Sequence, residues 1–449
     1  MDNTELAARD LAVLWHPCSQ MKDHEWLPMI PIKRGRGVWL EDFDGQRYLD
    51  AISSWWVNLF GHANPEINQS IAQQMEQLEH VIMAGFSHEP AVRLAERLVD
   101  ISAPGLERVF FAESGSSAVE IALKMSFHYW RNLQQPERRR FVSLANGYHG
   151  ETLGALAVGD VALYKEIYGP LLMEPIIAPS PDAFGAEAGE SPANCASRAL
   201  ASMAEILERH RHEVCAVIVE PLVQCAGNMR MYDPSYLSGL RRLCDQYEVH
   251  LIADEIAVGF GRTGTLFACE QAGIRPDFLL LAKGLTGGYL PLSAVLTTEP
   301  VYQAFYDDYA SLKGFLHSHS YTGHALGCAA AHGTLDIFAN QPVLERNREL
   351  ARLMSEGVAE LADHPRVGDI RQTGMILAME MVADAKTKQP IPWQNRAGLT
   401  VYQYALEQGV LLRPLGNVVY FMPPYVIDEQ QIALLSKTAI GGIHLALKD

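Results

Sequence analysis

Lys283 is a lysine placed where its amine could act as a nucleophile. It follows DFLLLA, residues 277–282, an apolar run typical of a buried strand, and it precedes a glycine-rich turn that begins at Gly284. In open α/β sheets, ligands bind at the carboxyl ends of the strands. An isolated lysine usually lays its stem along the protein and keeps its ammonium in water. A chemical role for Lys283 therefore depends on its companions.

A carboxylate and a helix start follow two other predicted strands. Asp254 ends VHLIAD, where it could keep a ring nitrogen protonated and so strengthen the ring as an electron sink. In ESGSSAVE, Gly115 and Ser116 open a helix whose free N–H groups suit a phosphate, and Ser117 and Glu120 are spaced as a capping box. Taken singly, each feature could be a simple helix or turn cap.

The glycines of GFGRTG, residues 259–264, match the dinucleotide-binding pattern G-x-G-x-x-G. The nucleotide-binding fold also needs an acidic residue at the end of the next strand. Asp277 begins the next predicted strand instead of ending it. The sequence therefore disfavours a nicotinamide site at these glycines.

The elements that would hold these residues form an α/β pattern. Between about residues 100 and 300, apolar runs alternate with helical patterns, which predicts a mostly parallel central sheet covered on both faces. The predicted strands are residues 107–112, 140–145, 215–220, 249–254, 277–282 and 292–298. Glu220, at the end of one of them, could help to order the site.

The two chain ends predict a smaller α+β domain. Asp44 and Gly45 lie between two strand-like runs, a hairpin signal. Near the other end, an apolar stripe of helical period follows Asp428 and Gln431, which are spaced as a capping box. The predicted small domain comprises residues 1–75 and 330–449, and the predicted large domain comprises residues 76–329.

Composition limits the classes of function. The formal charge of −17 provides no basic stripe for nucleic acid. No apolar run approaches the roughly 18 residues of a membrane span, and the acidic N-terminus lacks a signal-peptide layout, so we expect a cytoplasmic protein without membrane partners. Seven scattered cysteines without a C-x-x-C pair indicate neither disulfides nor a metal site.

Four segments together resemble the class III pyridoxal-phosphate aminotransferases. They are SGSSAVE, GYHG at residues 147–150, LIADEIAVGFGRTG and LAKGLTGG, and the resemblance covers nearly the whole chain. It implies a fold-type I transferase with pyridoxal 5′-phosphate (PLP) as cofactor. The segments LWHP, SSWW, QCAGNMRMY and LRPLGNVVYFMPPY resemble the branch that transfers an amino group from S-adenosyl-L-methionine to 8-amino-7-oxononanoate in biotin biosynthesis, giving 7,8-diaminononanoate.

The resemblance implies a role for each motif residue of the cofactor site. Lys283 would form a Schiff base with PLP, and Asp254 would pair with the pyridine nitrogen. Gly115 and Ser116 would bind the phosphate. Tyr148 would stack on the ring and face the substrate. Without the resemblance, Tyr148 could be an ordinary core aromatic residue.

The resemblance also implies a homodimer. His319 and Ser320, in HSHSYTG, would reach the phosphate bound by the neighbouring subunit. Ser318 stands where the family usually has a substrate-contacting glycine. The other histidines, including His149, show no ligand spacing, and we predict that they are structural.

Four further residues are implied in substrate binding. Trp55 and Trp56 would wall the pocket, and Arg413 would bind the carboxylate of the keto acid. Arg413 could instead form a surface ion pair of little energetic value. Cys18, in WHPCSQ, stands where many relatives have a substrate-contacting tyrosine.

The amino donor and the breadth of the reaction have alternatives. KGLTGGYLPLS, YQAFYDDYASLKGF and LGCAAA resemble relatives that use lysine at least as much as those that use S-adenosyl-L-methionine. A second alternative is a broad ω-amino acid:pyruvate aminotransferase, which the WHP and SSWW segments disfavour. A cofactor-binding protein without turnover is disfavoured because Lys283, Asp254 and Arg413 are all present.

Overall fold

The computed structural model describes residues 2–186 and 189–448. The helices are α1 (Asn3–Val13), α2 (Ser53–Trp56), α3 (Pro65–Met75), α4 (Glu89–Ile101), α5 (Gly115–Asn132), α6 (Leu153–Val158), α7 (Ala162–Lys165), α8 (Pro192–His210), α9 (Ser235–Gln246), α10 (Glu299–Gln303), α11 (Ala325–Asn340), α12 (Val343–Gly357), α13 (Ala397–Glu407) and α14 (Glu429–Ala446). In these two ranges, no helix is both long enough and apolar enough to cross a membrane.

The strands extend over most of the chain. They are β1 (Ile32–Arg36), β2 (Trp39–Asp42), β3 (Arg47–Asp50), β4 (Leu106–Ala112), β5 (Arg140–Leu144), β6 (Ile176–Ala178), β7 (Val214–Val219), β8 (Val223–Gln224), β9 (Arg230–Met231), β10 (His250–Asp254), β11 (Phe278–Leu281), β12 (Ser293–Thr298), β13 (Val367–Thr373), β14 (Ile376–Asp384), β15 (Gln389–Pro390), β16 (Val410–Leu411) and β17 (Val418–Phe421). Single turns of 3-10 helix lie between some of them, including Lys283–Thr286.

A seven-stranded sheet has the order β4-β12-β11-β10-β7-β5-β6. Strands β11, β10, β7, β5 and β6 are parallel, whereas β12 is antiparallel to both of its neighbours. The predicted α/β class and mostly parallel sheet are therefore confirmed, and each predicted strand is present. Strand β6 was not predicted, because three residues are too few to show a pattern.

The sheet is buried on both faces because its strands are apolar at successive positions. In β10, Leu251 and Ala253 belong to one hydrophobic cluster and Ile252, between them, belongs to another. Successive side chains of a strand point to opposite faces, so the two clusters are the two faces of the sheet. All residues of β7 and β11 are buried as well. Because the strands are held in place by burial on both faces, the polar residues at their ends have fixed positions.

The two chain ends meet in a second sheet. The predicted hairpin is formed by β2 and β3, and β16 adds to β3 in parallel, pairing Val410 with Leu49. The predicted capping box of Asp428 and Gln431 begins α14. The division into domains stays a prediction: its boundary at residue 330 falls within α11, and its end residues, 1 and 449, lie outside the described residues.

Candidate active site

Adjacent parallel strands of the large sheet end at one cavity of about 410 Å³. Strand β11 leads to Lys283, β10 ends at Asp254, and β7 leads to Glu220. The loop after β5 carries Tyr148 and His149. These five side chains line the cavity, which therefore lies where open α/β sheets bind their ligands.

The Lys283 amine is held away from water. Lys283 begins the 3-10 turn after β11 with a left-handed φ of 44°, and its Nζ lies 5.2 Å from the centroid of the Trp56 ring. Burial lowers the pKa of Lys283, although nearby Asp254 and Glu220 partly oppose that shift. A larger fraction of the amine is therefore neutral, the form that acts as a nucleophile or base.

Asp254 is a buried carboxylate whose orientation is set by two donors. The backbone N–H of Ile256 donates to Oδ1 at 3.1 Å, and His149 Nδ1 lies 2.7 Å from Oδ2. The histidine is buried as well. His149, which we predicted to be structural, thus belongs to the site. Its only sequence signal was its place beside Tyr148 in GYHG.

Glu220 ties the Tyr148 loop to the sheet. Its two carboxylate oxygens accept hydrogen bonds from the backbone N–H groups of Tyr148 and Cys225, each at 2.9 Å. Burial raises the pKa of Glu220 to about 7, whereas His149 acts to lower it. The Tyr148 hydroxyl donates to Glu151, and burial raises the Tyr148 pKa. The phenol therefore stays neutral and its ring position is fixed.

Helix α5 begins at the cavity, but its cap differs from the prediction. Ser114 is the N-cap, and its Oγ accepts from the backbone N–H of Ser117 at 3.2 Å. The predicted capping box of Ser117 and Glu120 is wrong, because Ser114 has the extended backbone that a cap requires and Ser117 is already helical. Glu120 instead accepts from the backbone N–H of Gly154.

Gly115 and Ser116 form the first turn of α5, with the N–H groups of a helix start. Ser116 Oγ accepts from the backbone N–H of Glu151 at 3.1 Å. A Cβ on Gly150, whose φ is 122°, would lie 1.9 Å from that oxygen, and a Cβ on Gly115 would lie 2.9 Å from Ile256. The glycines thus let three segments of backbone meet around the helix start.

The residues of α2, Ser53–Trp56, are here called the tryptophan turn, and Trp56 alone of the four lines the cavity. Trp56 is only 3 % exposed, and its Nε1 donates to the Tyr420 hydroxyl at 3.0 Å. Trp55 is 42 % exposed, and its ring centroid lies 5.3 Å from the Arg413 guanidinium carbon. The adjacent tryptophans therefore contact two different cations.

Arg413 is exposed and does not itself line the cavity. Its charge acts on Tyr164, whose ring contacts that of the cavity residue Tyr148. Its Nη2 donates to the backbone oxygen of Cys18 at 3.2 Å, and the Cys18 thiol lies within hydrogen-bonding reach of the Tyr164 hydroxyl. Within residues 2–186 and 189–448, no carboxylate forms a salt bridge with Arg413. The guanidinium is thus available to an anion from outside this part of the chain.

The predicted cross-subunit residues do not line the cavity. His319 Nδ1 lies 2.5 Å from Oε2 of Glu113, which does line it, and the Ser320 carbonyl accepts from His80. Ser318 and Ser320 are exposed. Their predicted contacts with a neighbouring subunit stay predictions.

The chemistry of this donor set suits PLP. Lys283 supplies an amine with a lowered pKa, and Asp254 supplies a buried carboxylate for a ring nitrogen. Gly115 and Ser116 supply a helix start for a phosphate, and Tyr148 supplies an aromatic ring. In the part of the chain that the structure describes, no cluster of side chains could hold a metal ion.

A family comparison decides the class of the protein. Residues 20–440 match the family model described as aminotransferase class-III. The chain belongs to this family. Class-III aminotransferases depend on PLP, in agreement with the donor set, and the expected fold-type I class is confirmed by solved members of the family.

Several relatives of this family share one name. Adenosylmethionine-8-amino-7-oxononanoate aminotransferase of Helicobacter pylori is 46% identical over 98% of this chain and 96% of its own. The protein of the same name from Geobacter sulfurreducens is 43% identical over 99% of this chain and 98% of its own. The crystal structure of the Methanocaldococcus jannaschii protein has a TM-score of 0.94 and 37% identity, with both chains fully covered.

An ω-transaminase has the same fold at lower identity. The thermostable (S)-enantioselective enzyme of Thermomicrobium roseum has a TM-score of 0.95 and 29% identity, covering 100% of this chain and 99% of its own. The fold therefore does not separate the two kinds of transaminase, whereas sequence identity favours the first group.

Proposed function

We propose that this chain transfers an amino group from S-adenosyl-L-methionine to 8-amino-7-oxononanoate, giving 7,8-diaminononanoate in biotin biosynthesis. The observation that carries the proposal is the exposed Arg413 guanidinium, which stacks on Trp55, the residue next to the cavity residue Trp56. It has no salt-bridge partner among the described carboxylates. The names and identities of the relatives support the same substrates.

Five residues of the cavity have a part in this proposed reaction. When bound, PLP supplies an electron sink and carries the amino group from one substrate to the other. Lys283 Nζ, whose pKa is lowered by burial, would remove a proton from the donor carbon and, in the second half of the reaction, deliver one to the acceptor carbon. Asp254, oriented by His149, holds the proton of the ring nitrogen. Gly115 and Ser116 bind the phosphate through the start of α5.

The keto acid is recognised at its far end. A guanidinium presents N–H groups in a planar fork that matches a carboxylate. Arg413 is held by the Cys18 carbonyl and rests on Trp55, so its position is set before a substrate arrives. Its charge selects an acceptor that carries a carboxylate at a distance from its oxo group.

A donor comparison tests the proposal. PLP-loaded protein is mixed separately with S-adenosyl-L-methionine, lysine and β-alanine, and the absorbance of PLP joined to Lys283 is followed as it converts to the pyridoxamine form. We expect conversion by S-adenosyl-L-methionine, and then production of 7,8-diaminononanoate on addition of 8-amino-7-oxononanoate, detected by mass spectrometry. Lys283→Ala should lack the initial absorbance band.

The other possible results of the donor comparison would change the proposal. Conversion by lysine and not by S-adenosyl-L-methionine would replace the proposed donor. Conversion by β-alanine alone would overturn the proposed reaction and favour a broad ω-amino acid aminotransferase.

We propose further that the active unit is a cytoplasmic homodimer. Large apolar side chains, including Trp15, Tyr309 and Leu316, are almost fully exposed in the single chain. Exposed apolar surface of this kind marks protein contacts, and Leu316 adjoins the segment of His319 and Ser320 predicted to cross between subunits. All seven cysteines are free, as suits a reducing compartment.

A further inference from the structure

The tryptophan turn has an unusual backbone. Its four residues have φ values of 52° for Ser53, 46° for Ser54, 74° for Trp55 and 72° for Trp56. Consecutive positive values describe one turn of left-handed helix, which is disfavoured for every residue except glycine. None of the four is glycine. Other contacts must therefore hold the turn in place.

Asp50 contacts the turn through both of its carboxylate oxygens. Its side chain is fully buried at the end of β3, directly before the turn. One carboxylate oxygen accepts from the backbone N–H of Ser54 at 2.9 Å. The other accepts from Ser54 Oγ at 2.7 Å and lies 3.0 Å from His62 Nε2. Asp50 thus accepts from both hydrogen-bond donors of Ser54, the residue with the smallest φ of the turn.

The turn joins the two halves of the proposed active site. Trp56 lies under the Lys283 amine, where bonds change, and Trp55 lies under Arg413, where the carboxylate is recognised. The two tryptophans are consecutive, so any rotation of the turn moves both rings together. The distance between the Lys283 amine and the Arg413 guanidinium therefore depends on the conformation of the tryptophan turn.

We propose that Asp50 is a positioning residue of the reaction. By holding Ser54 in the left-handed conformation, it fixes Trp55 and Trp56 and so sets the spacing between Lys283 and Arg413. Asp50 does not line the cavity and acts only through the turn. The role assigned to Arg413 rests on the proposed function, whereas the conformational role of Asp50 does not.

The alternative is that Asp50 is only a buried partner of His62 that stabilises the small sheet. Asp42 offers a matched control, because it is another buried carboxylate of that sheet and accepts from Asn3, Tyr48 and the backbone of Gln46. Both Asp50→Ala and Asp42→Ala should lower stability. Only Asp50→Ala should move the tryptophans.

The experiment compares Asp50→Ala and Asp42→Ala, each with and without the additional substitution Ser54→Gly. Asp50→Ala should change the tryptophan bands in the near-ultraviolet circular dichroism of the cofactor-free protein. It should also lower kcat/KM for 8-amino-7-oxononanoate by roughly 10- to 100-fold, the effect of a displacement of about 1 Å. Adding Ser54→Gly should recover much of both signals, because glycine adopts a positive φ without strain.

The outcomes separate the inference from the proposed function. Wild-type spectra and kcat/KM in folded Asp50→Ala, or no recovery with Ser54→Gly, would overturn the role of Asp50. If Asp50→Ala does not fold, Asp50→Asn, which keeps one acceptor oxygen, takes its place in the same comparison. If the wild type turns over neither substrate, the proposed function fails, while the spectra and their recovery by glycine still decide the inference.

Discussion

Lys283 and Arg413 are two cations that the fold treats in opposite ways. Lys283 is desolvated beside Trp56, which lowers its pKa and favours the neutral amine. Arg413 is stacked on Trp55 but remains exposed and keeps its charge. A base must lose its proton before it can accept another, and a carboxylate clamp must stay charged. The difference in burial thus assigns each residue its part of the proposed reaction.

The variant Arg413→Ala measures how much the exposed charge of Arg413 contributes to binding the keto acid. We expect the KM for 8-amino-7-oxononanoate to rise roughly 10- to 100-fold, because a hydrogen bond to a charged group contributes about 1.5–3 kcal/mol. Steady-state kinetics check this value. Arg47→Ala is the matched control, since Arg47 also stacks on a tryptophan, 4.5 Å from the Trp39 ring, and should leave KM unchanged. An unaltered KM in folded Arg413→Ala would contradict the assignment.

The buried Glu220 predicts a particular dependence of stability on pH. Because burial raises its pKa to about 7 in the folded chain, the folded state holds this proton more tightly than the unfolded state. That contribution to stability is present below the unfolded pKa and is lost as the pH rises through about 7. Glu220→Gln should therefore gain stability relative to wild type, by up to about 1.4 kcal/mol per pH unit, between the two pKa values.

Urea unfolding at several pH values measures this difference. The control is Glu299→Gln, because hydrogen bonding to Arg108 lowers the pKa of the partly exposed Glu299. Its contribution is present at higher pH and lost as the pH falls, so the variant should show no relative gain on raising the pH. A constant difference between Glu220→Gln and wild type across this range would contradict the raised pKa.

Residue type and strand position predicted part of this site. Lys283, Asp254 and Tyr148 could be placed because each follows a strand or belongs to a motif of the resembled family. His149 could not, because its contact with Asp254 joins positions 105 residues apart and its ring shows no ligand spacing. Such a pair becomes visible only when the order of β10, β7 and β5 in the sheet is known.

At the scale of elements, the local sequence was ambiguous wherever two nearby residues could play the same structural role, such as capping a helix. Ser114 and Ser117 are both possible caps of α5, and only the backbone conformation shows that Ser114 is the one. The tryptophan turn left no signal, since left-handed backbone is expected at glycine and the segment contains serine and tryptophan. Strands, with buried runs of regular period, were much easier to predict.

Gly288 packs the turn after Lys283 against Val57 and Asn58, which directly follow the tryptophan turn. A Cβ at Gly288 would lie 2.9 Å from the backbone of both Val57 and Asn58, and its φ is 86°. Gly288→Ala should therefore destabilise the protein by about 1–3 kcal/mol, the range for a residue in a strained conformation. Gly169→Ala is the control, because a Cβ there meets nothing within 4 Å and its φ is ordinary.

Urea unfolding of both glycine variants checks this expectation. If Gly288→Ala is as stable as Gly169→Ala, Gly288 does not pack against Val57 and Asn58 as described.

At the scale of the molecule, the α/β class and the central sheet followed from the sequence because apolar runs report burial directly. The extent of the domains did not, since the boundary depends on how helices such as α3 and α11 pack, and they pack closely. The hydrophobic pattern of the sequence does not report the number of subunits either, and the predicted homodimer was inferred from the family resemblance. Leu316 offers a way to test it.

Leu316→Asp should convert the proposed dimer into a monomer. The side chain is 95 % exposed in the single chain, and a carboxylate placed in an apolar contact would be buried without a partner. Analytical ultracentrifugation measures the change in mass. Trp393→Asp, at another exposed apolar position, should remain dimeric. A monomeric wild type, or a Leu316→Asp variant that stays dimeric, would contradict the prediction.

The hydrogen bond between Arg413 and the Cys18 carbonyl joins residues 395 positions apart. During translation, Cys18 leaves the ribosome early and Arg413 leaves it near the end. The strands that carry Asp254 and Lys283 are complete well before that time, and contacts between distant positions are slow to form. The contact that positions Arg413 is therefore the last part of the proposed site to be assembled. A nascent chain that has not yet reached residue 413 has no means of selecting a carboxylate, whatever the state of its central sheet.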